Sequence, residues 1–174
     1  LTTSSRINSP KVFGNPDFLW RAEFKRSRLG LGAFKTSLIA VYKERLRELG
    51  KTDKYIEQRM KNRWIQLGKP MPSQYHFAER KMDLLLKLKE SNENRCIENF
   101  YMIGDNQNTD IAGATATNDV ATRDSTKRKW DSVLVKTGVW EPGYRTNGAT
   151  IIKDNAMFGV EWIQKQYDDN QKKK

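Results

Sequence analysis

Two carboxylates stand out by type and spacing in the 174-residue chain: Asp105 and Asp110, in Phe100-Tyr101-Met102-Ile103-Gly104-Asp105-Asn106-Gln107-Asn108-Thr109-Asp110-Ile111. An apolar run stops at a glycine and delivers both acids before small, helix-compatible residues begin. Acidic residues just past the C-terminal end of a strand sit where open α/β sheets bind ligands. Paired hard oxygens there suit Mg²⁺. A strand, a loop and an Asp helix cap would give the same letters. A third candidate is Lys69, in Gly68-Lys69-Pro70. A lysine between a glycine and a proline is held at a helix entrance, where an anion also gains from the N-terminal dipole. Taken alone it is also a surface lysine. His76, the single histidine, falls in an amphipathic stretch and reads as a surface or packing residue. Cys96, the single cysteine, excludes an internal disulfide and fits a reducing compartment.

The elements that must position these residues follow from hydrophobic period and breakers. Lys11–Gly14 reads as a short strand that ends in the Asn15-Pro16-Asp17 turn. Gly30–Leu49 reads as a helix with Phe34, Leu38, Val41, Tyr42, Leu46 and Leu49 inward and Gly50 closing it. Lys51–Leu67 reads as a second, charged helix carrying Ile56, Met60 and Trp64 on one face. Pro72 to Glu90 reads as a third, with Tyr75, Ala78, Met82, Leu85 and Leu86 inward. Phe100–Gly104 is a buried strand. A short helix spans 111–117, a basic loop 118–130, a second strand 132–137, a third near 150–152 and a last helix 155–167. Strands alternating with helices place the chain in the α/β class with a parallel sheet. The aromatics fall mostly at core spacing and are expected inside. No run approaches the roughly 18 apolar residues of a membrane helix.

Net charge is +11, and from Asp17 to Lys69 there are 14 Lys/Arg against 6 Asp/Glu. Such an excess favours a polyanionic partner, although a solvated lysine-rich surface gives the same count.

Gly68-Lys69-Pro70, Gly104-Asp105…Asp110 and Leu134-Val135-Lys136-Thr137-Gly138-Val139 together resemble the haloacid-dehalogenase (HAD) superfamily, subfamily IIA. Asn15-Pro16-Asp17 is similar to the element that subfamily carries where the chain returns from cap to core. Gly14-Asn15-Pro16-Asp17-Phe18-Leu19-Trp20, followed by Gly30-x-Gly32-Ala33-Phe34, resembles its cat-eye-syndrome-region branch, whose eukaryotic members are often mitochondrial. The resemblance implies a Rossmann-like core over 11–167, from which a helical insertion at 51–67 departs; composition marks an irregular lead-in at 1–10 and a basic tail at 168–174. It implies that Lys69 holds the phosphoryl group and the nucleophile's charge. Asp105 would bind Mg²⁺ and Asp110 would orient Asp105 or a metal-bound water. Asn106 and Thr109 would hydrogen-bond that pair, and Asn15 and Asp17 would lie near the pocket, unless they form a simple turn.

The family's reaction starts from the first aspartate of an Asp-x-Asp motif, and no aspartate here is followed by another two residues later. The expectation is therefore a partial core lacking the N-terminal strands, completed by an N-terminal half of the same protein or by another subunit. Two functions compete. One is the C-terminal part of a Mg²⁺-dependent phosphomonoesterase working through an aspartyl-phosphate. The other is an inactive HAD-derived subunit of a large assembly such as a mitochondrial ribosome or other ribonucleoprotein, using the basic stretches 51–66 and 118–130 on RNA. The location implied is mitochondrial, and otherwise cytoplasmic.

Overall fold

A computed structural model describes residues 9–61, 63–89, 97, 99–121, 128–143 and 145–172. The chain forms two compact units, Leu1–Gly68 and Lys69–Lys174. Cys96, Arg123 and Lys127 lie outside the described residues.

The first unit is built on a parallel strand pair, β1 (Lys11–Phe13) with β4 (Trp64–Gln66), in the register Lys11↔Trp64 to Phe13↔Gln66. Parallel neighbours require a long crossover, which here carries a two-stranded antiparallel hairpin and two helices. The hairpin pairs β2 (Leu19–Trp20) with β3 (Arg28–Leu29), and the helices are α1 (Leu31–Glu48) and α2 (Asp53–Lys61). Gly50, at φ +71°, closes α1 as expected. The stretch 51–67 is not one helix: it breaks into α2 and β4. Trp64 continues the i, i+4 spacing of Ile56 and Met60, but its ring stacks on Phe13 at 5.6 Å while its backbone pairs with β1. Tertiary pairing overrides the local period. α1 is also rotated from its expected face. Gly32 and Ala33 are buried and Ile39, Tyr42 and Leu46 half-buried, whereas Phe34, Leu38, Val41 and Leu49 stay exposed.

The second unit is a three-layer sandwich. Its sheet is wholly parallel, ordered β5 (Asn99–Gly104), β6 (Lys129–Val135), β7 (Ile151–Lys153). The α/β class and the parallel sheet agree with the sequence reading. Strand side chains alternate between faces. Phe100 therefore packs with Tyr75 of α3 (Pro72–Lys89), Ala114 of α4 (Ala112–Ala121) and Trp130. Tyr101 turns to the other face, where its ring meets Trp162 of α5 (Ala156–Lys172). On that face Gly159 of α5 lets the helix approach Val133 and Ile103.

Trp130 organises the first face. Its ring stacks on Phe100 at 5.0 Å and meets Tyr75 edge-on at 4.9 Å, and its indole N–H donates to buried Glu79 at 2.6 Å. Arg128 lies 3.9 Å from Glu79 and donates to Asp83 at 2.7 Å. These acids decide how α3 turns: Tyr75, Ala78 and Glu79 face inward, while Met82 and Leu85, expected in the core, remain exposed.

The expected loop 118–130 is smaller than its polar composition suggests. α4 runs on to Ala121, and β6 already begins at Lys129. The Asn118 side chain substitutes for a neighbouring strand: its amide donates to the Trp130 carbonyl at 2.8 Å and its carbonyl accepts from the Trp130 N–H at 2.9 Å. The tail expected from residue 168 is helical to Lys172. The aromatics divide, with Phe13, Tyr75, Phe100 and Trp130 buried and Phe18, Trp20, Phe24 and Phe34 exposed.

Replacing Trp130 by Phe keeps most of the ring packing and deletes the donor to Glu79, which strands part of a buried carboxylate. Urea unfolding should show a loss of about 1–3 kcal/mol, recovered in part when Glu79 becomes Met in the same chain.

Candidate active site

The site forms where β5 ends. A Cβ added at Gly104 would lie 2.2 Å from the Asp110 Oδ2, so the glycine leaves the space that the Asp110 carboxylate fills. Between them the chain makes a single π-helical turn, Gln107–Ile111, a widened geometry found often at functional sites. Asn106 opens this turn. Its side-chain carbonyl accepts from Asn108 N at 3.0 Å, and its main-chain carbonyl accepts from Asp110 N at 2.8 Å. The Asn106 N–H in turn donates to Asp110 Oδ2 at 3.2 Å.

Asp110 is held from three sides. Its side chain is 4% exposed, and Lys69 Nζ donates to Oδ1 at 2.5 Å. Burial pushes the carboxyl above the ordinary aspartate range. The Lys69 hydrogen bond and charge pull it back without reversing the shift, and Asp105 adds a smaller upward push. From behind, the Tyr75 hydroxyl donates to the Asp110 main-chain oxygen at 2.7 Å and lies 3.3 Å from that of Thr109. Burial, then the charge of Asp110, raises the Tyr75 phenol well above its usual value, so it stays a donor. Gly113 makes room for it, since a Cβ there would fall 2.4 Å from the Tyr75 oxygen.

Asp105 is fixed from the turn that follows β6. The Val139 N–H donates to Asp105 Oδ2 at 2.7 Å. Gly138 sits at φ +51°, and a Cβ on it would lie 2.0 Å from the same oxygen. Backbone freedom and close approach therefore both require glycine there.

The structure thus brings together Lys69, Asp105, Asp110, Asn106 and Thr109. Thr109 does not act as expected: its buried hydroxyl has no hydrogen-bond partner among the described residues, nor has Gln107 Oε1. The widened turn gives the contact with Asp110 to the Asn106 amide instead. Asn15 and Asp17 belong to the other unit. There Asn15 Oδ1 accepts from Asp17 N at 2.8 Å, a local turn, and the Asp17 carbonyl accepts from Gly32 N at 2.9 Å. A Cβ on Gly32 would lie 2.0 Å from the Pro16 oxygen, which explains that glycine. Sequence reasoning placed Tyr75 in the core and quoted Gly138 and Val139 for the resemblance, but gave none of the three a role at the site. A glycine directly after a buried strand that pairs with the acid-bearing strand was the available signal.

Asp105 and Asp110 are hard oxygen donors and match Mg²⁺ in kind. They do not complete a site, since no group of three or more His, Cys, Asp or Glu that could hold a metal exists among the described residues.

Residues 66–154, about half of the chain, match the model of the HAD-hydrolase-like family. The chain is 30% identical over 154 residues to a cardiolipin synthase (CMP-forming)/mitochondrial hydrolase fusion protein of Schizosaccharomyces pombe. The match takes in 86% of this chain and 21% of the relative. It is also 30% identical over 146 residues to a mitochondrial hydrolase of Saccharomyces cerevisiae, over 80% of this chain and 38% of that protein. The chain therefore spans well under half the length of either relative.

Replacing Lys69 by Met leaves Asp110 buried without its cation and should cost about 1–3 kcal/mol, less than the loss from a fully buried pair because Lys69 reaches solvent. The sign of its pH dependence is fixed. Without Lys69 the folded-state carboxyl rises further, so the penalty is absent below the unfolded carboxyl range, grows as pH rises through the raised value, and is then constant. Unfolding of both proteins across the acid range checks this.

Proposed function

Since the chain belongs to the HAD-hydrolase-like family, we propose that it is the C-terminal part of a Mg²⁺-dependent phosphomonoesterase whose nucleophilic aspartate lies outside these residues. The observation that carries the reading is the pairing of partly exposed Lys69 with buried Asp110 just past the end of the strand that also presents Asp105. The much greater length of both relatives supports a longer functional protein. Their names, each including a mitochondrial hydrolase, support a mitochondrial location.

In this reading each residue has a task its geometry suits. Asp110 spends no oxygen on solvent: it orients the Lys69 ammonium, a cation suited to a phosphoryl oxygen and to the charge of an aspartate nucleophile. Asp105, immobilised by the Val139 N–H, would hold the metal, with the remaining ligands drawn from outside the described residues. When bound, Mg²⁺ would polarise the phosphoryl group and neutralise its charge. Tyr75 fixes the turn between the two carboxylates, so their separation is set by the scaffold. The upstream part of the protein is the partner we assign, and β5 offers it a place. Among the described residues β5 pairs only with β6, and an unpaired edge of a parallel sheet is a template for another strand.

Hydrolysis of an aryl phosphate tests the proposal. The 174-residue chain alone should be inactive, and a longer polypeptide carrying the upstream sequence should be active only with Mg²⁺. In that polypeptide Asp105→Asn or Lys69→Met should lower kcat by at least about 10²-fold. Full activity of the Asp105→Asn protein would remove the metal assignment.

A further inference from the structure

The two units differ in charge. Leu1–Gly68 contains 15 Lys/Arg and 6 Asp/Glu, a net +9, whereas Lys69–Lys174 contains 17 and 15, a net +2. Within the basic unit, the β2–β3 hairpin combines charge with exposed apolar side chains. Residues 18–29 hold Arg21, Lys25, Arg26 and Arg28 against the single acid Glu23. Phe18, Leu19, Trp20, Phe24 and Leu29 are all exposed, Leu29 to 70%. The Arg28 guanidinium lies 5.2 Å from the Trp20 ring centre and 5.0 Å from that of Phe24, which braces the two rings.

A surface of this kind calls for a partner that is both apolar and anionic. Nucleic acid supplies the charge and a stacking surface. It has no use for Leu19 and Leu29, however, and Arg28 already covers a face of each ring on which a base would stack. The surface of a bilayer containing anionic lipid meets every term. Trp and Phe rings favour the headgroup level, leucines reach the acyl boundary, and basic side chains lay their stems on apolar surface while their heads meet the anionic headgroups. No helix among the described residues is long and apolar enough to cross a membrane. We infer that the β2–β3 hairpin is a docking element for anionic membrane surfaces.

Flotation of the longer polypeptide that carries the upstream sequence, mixed with vesicles, tests this. The polypeptide should bind equimolar phosphatidylcholine–phosphatidylglycerol vesicles at least tenfold better than phosphatidylcholine alone, and the preference should shrink as salt is raised. Lys25→Glu with Arg26→Glu should weaken binding by well over tenfold, given roughly fivefold for each basic residue near such a surface. The charge-matched control Lys54→Glu with Lys61→Glu on α2 should leave most of it. Brominated lipid should quench tryptophan fluorescence, and Trp20→Phe, which keeps an apolar ring, should remove most of that quenching while the far-ultraviolet circular dichroism is unchanged. Equal binding to both vesicles, equal losses in the hairpin and α2 variants, or quenching that survives Trp20→Phe would each overturn the inference. So would vesicles that stay free while single-stranded RNA binds through Lys25 and Arg26.

Discussion

A carboxylate buried at the end of a parallel strand must be compensated, and the local architecture of the second unit follows from compensating Asp110. Its charge is met by Lys69, its second oxygen by the Asn106 N–H, and its volume by the missing side chain of Gly104. The widened turn that carries it is anchored by a phenol from α3, for which Gly113 gives way. Take away the need to hold Asp110, and the reasons for two glycines, the hydroxyl of a core tyrosine and a π-helical turn disappear with it. Desolvation still dominates its balance, because the carboxyl remains above its ordinary range despite the lysine. The proposed function gives this cost a purpose, the aiming of the Lys69 cation, because replacing buried ion pairs by apolar residues is often neutral or stabilising.

The same logic of close approach runs through both units. Gly138 clears Asp105, Gly159 brings α5 onto the sheet, and Gly32 seats the start of α1 on Pro16. A carboxylate occupies the place of a Cβ at Gly138 and a backbone carbonyl does so at Gly32, whereas at Gly159 a Cβ would meet the Val133 side chain at 3.2 Å. Polar groups are likewise used as structural parts: Glu79 receives the Trp130 indole, and Asn118 stands in for a strand. A core assembled this way draws its specificity from a few directed bonds, while long apolar stripes on α1 and α3 are left exposed.

Much of this was legible in the residues. The strand ending at Gly104, the acids after it, the lysine between glycine and proline, and the alternation of strands and helices all appear in the structure. What could not be read depends on contacts distant in sequence. The spacing of Ile56, Met60 and Trp64 is helical, yet pairing with β1 and stacking on the Phe13 ring, 51 residues earlier, make Trp64 a strand residue. Leu85 and Met82 are apolar at helical spacing, but Glu79 and Asp83 win the inward face because Trp130 and Arg128 wait there. Thr109 looked like a partner of Asp110 until the turn widened. Asn15 and Asp17, read as pocket residues or as a simple turn, do form a turn, beside the N-terminus of α1.

The account rests on Lys69 and Asp105 converging on one phosphoryl group, with Asp110 aiming the lysine. A crystal structure of the longer polypeptide with Mg²⁺ and a phosphate mimic bears on this most directly. The account predicts an Asp105 carboxylate oxygen on the metal and Lys69 Nζ bonded at once to Asp110 and the anion. An anion bound away from Lys69, or a metal bound without Asp105, would contradict it.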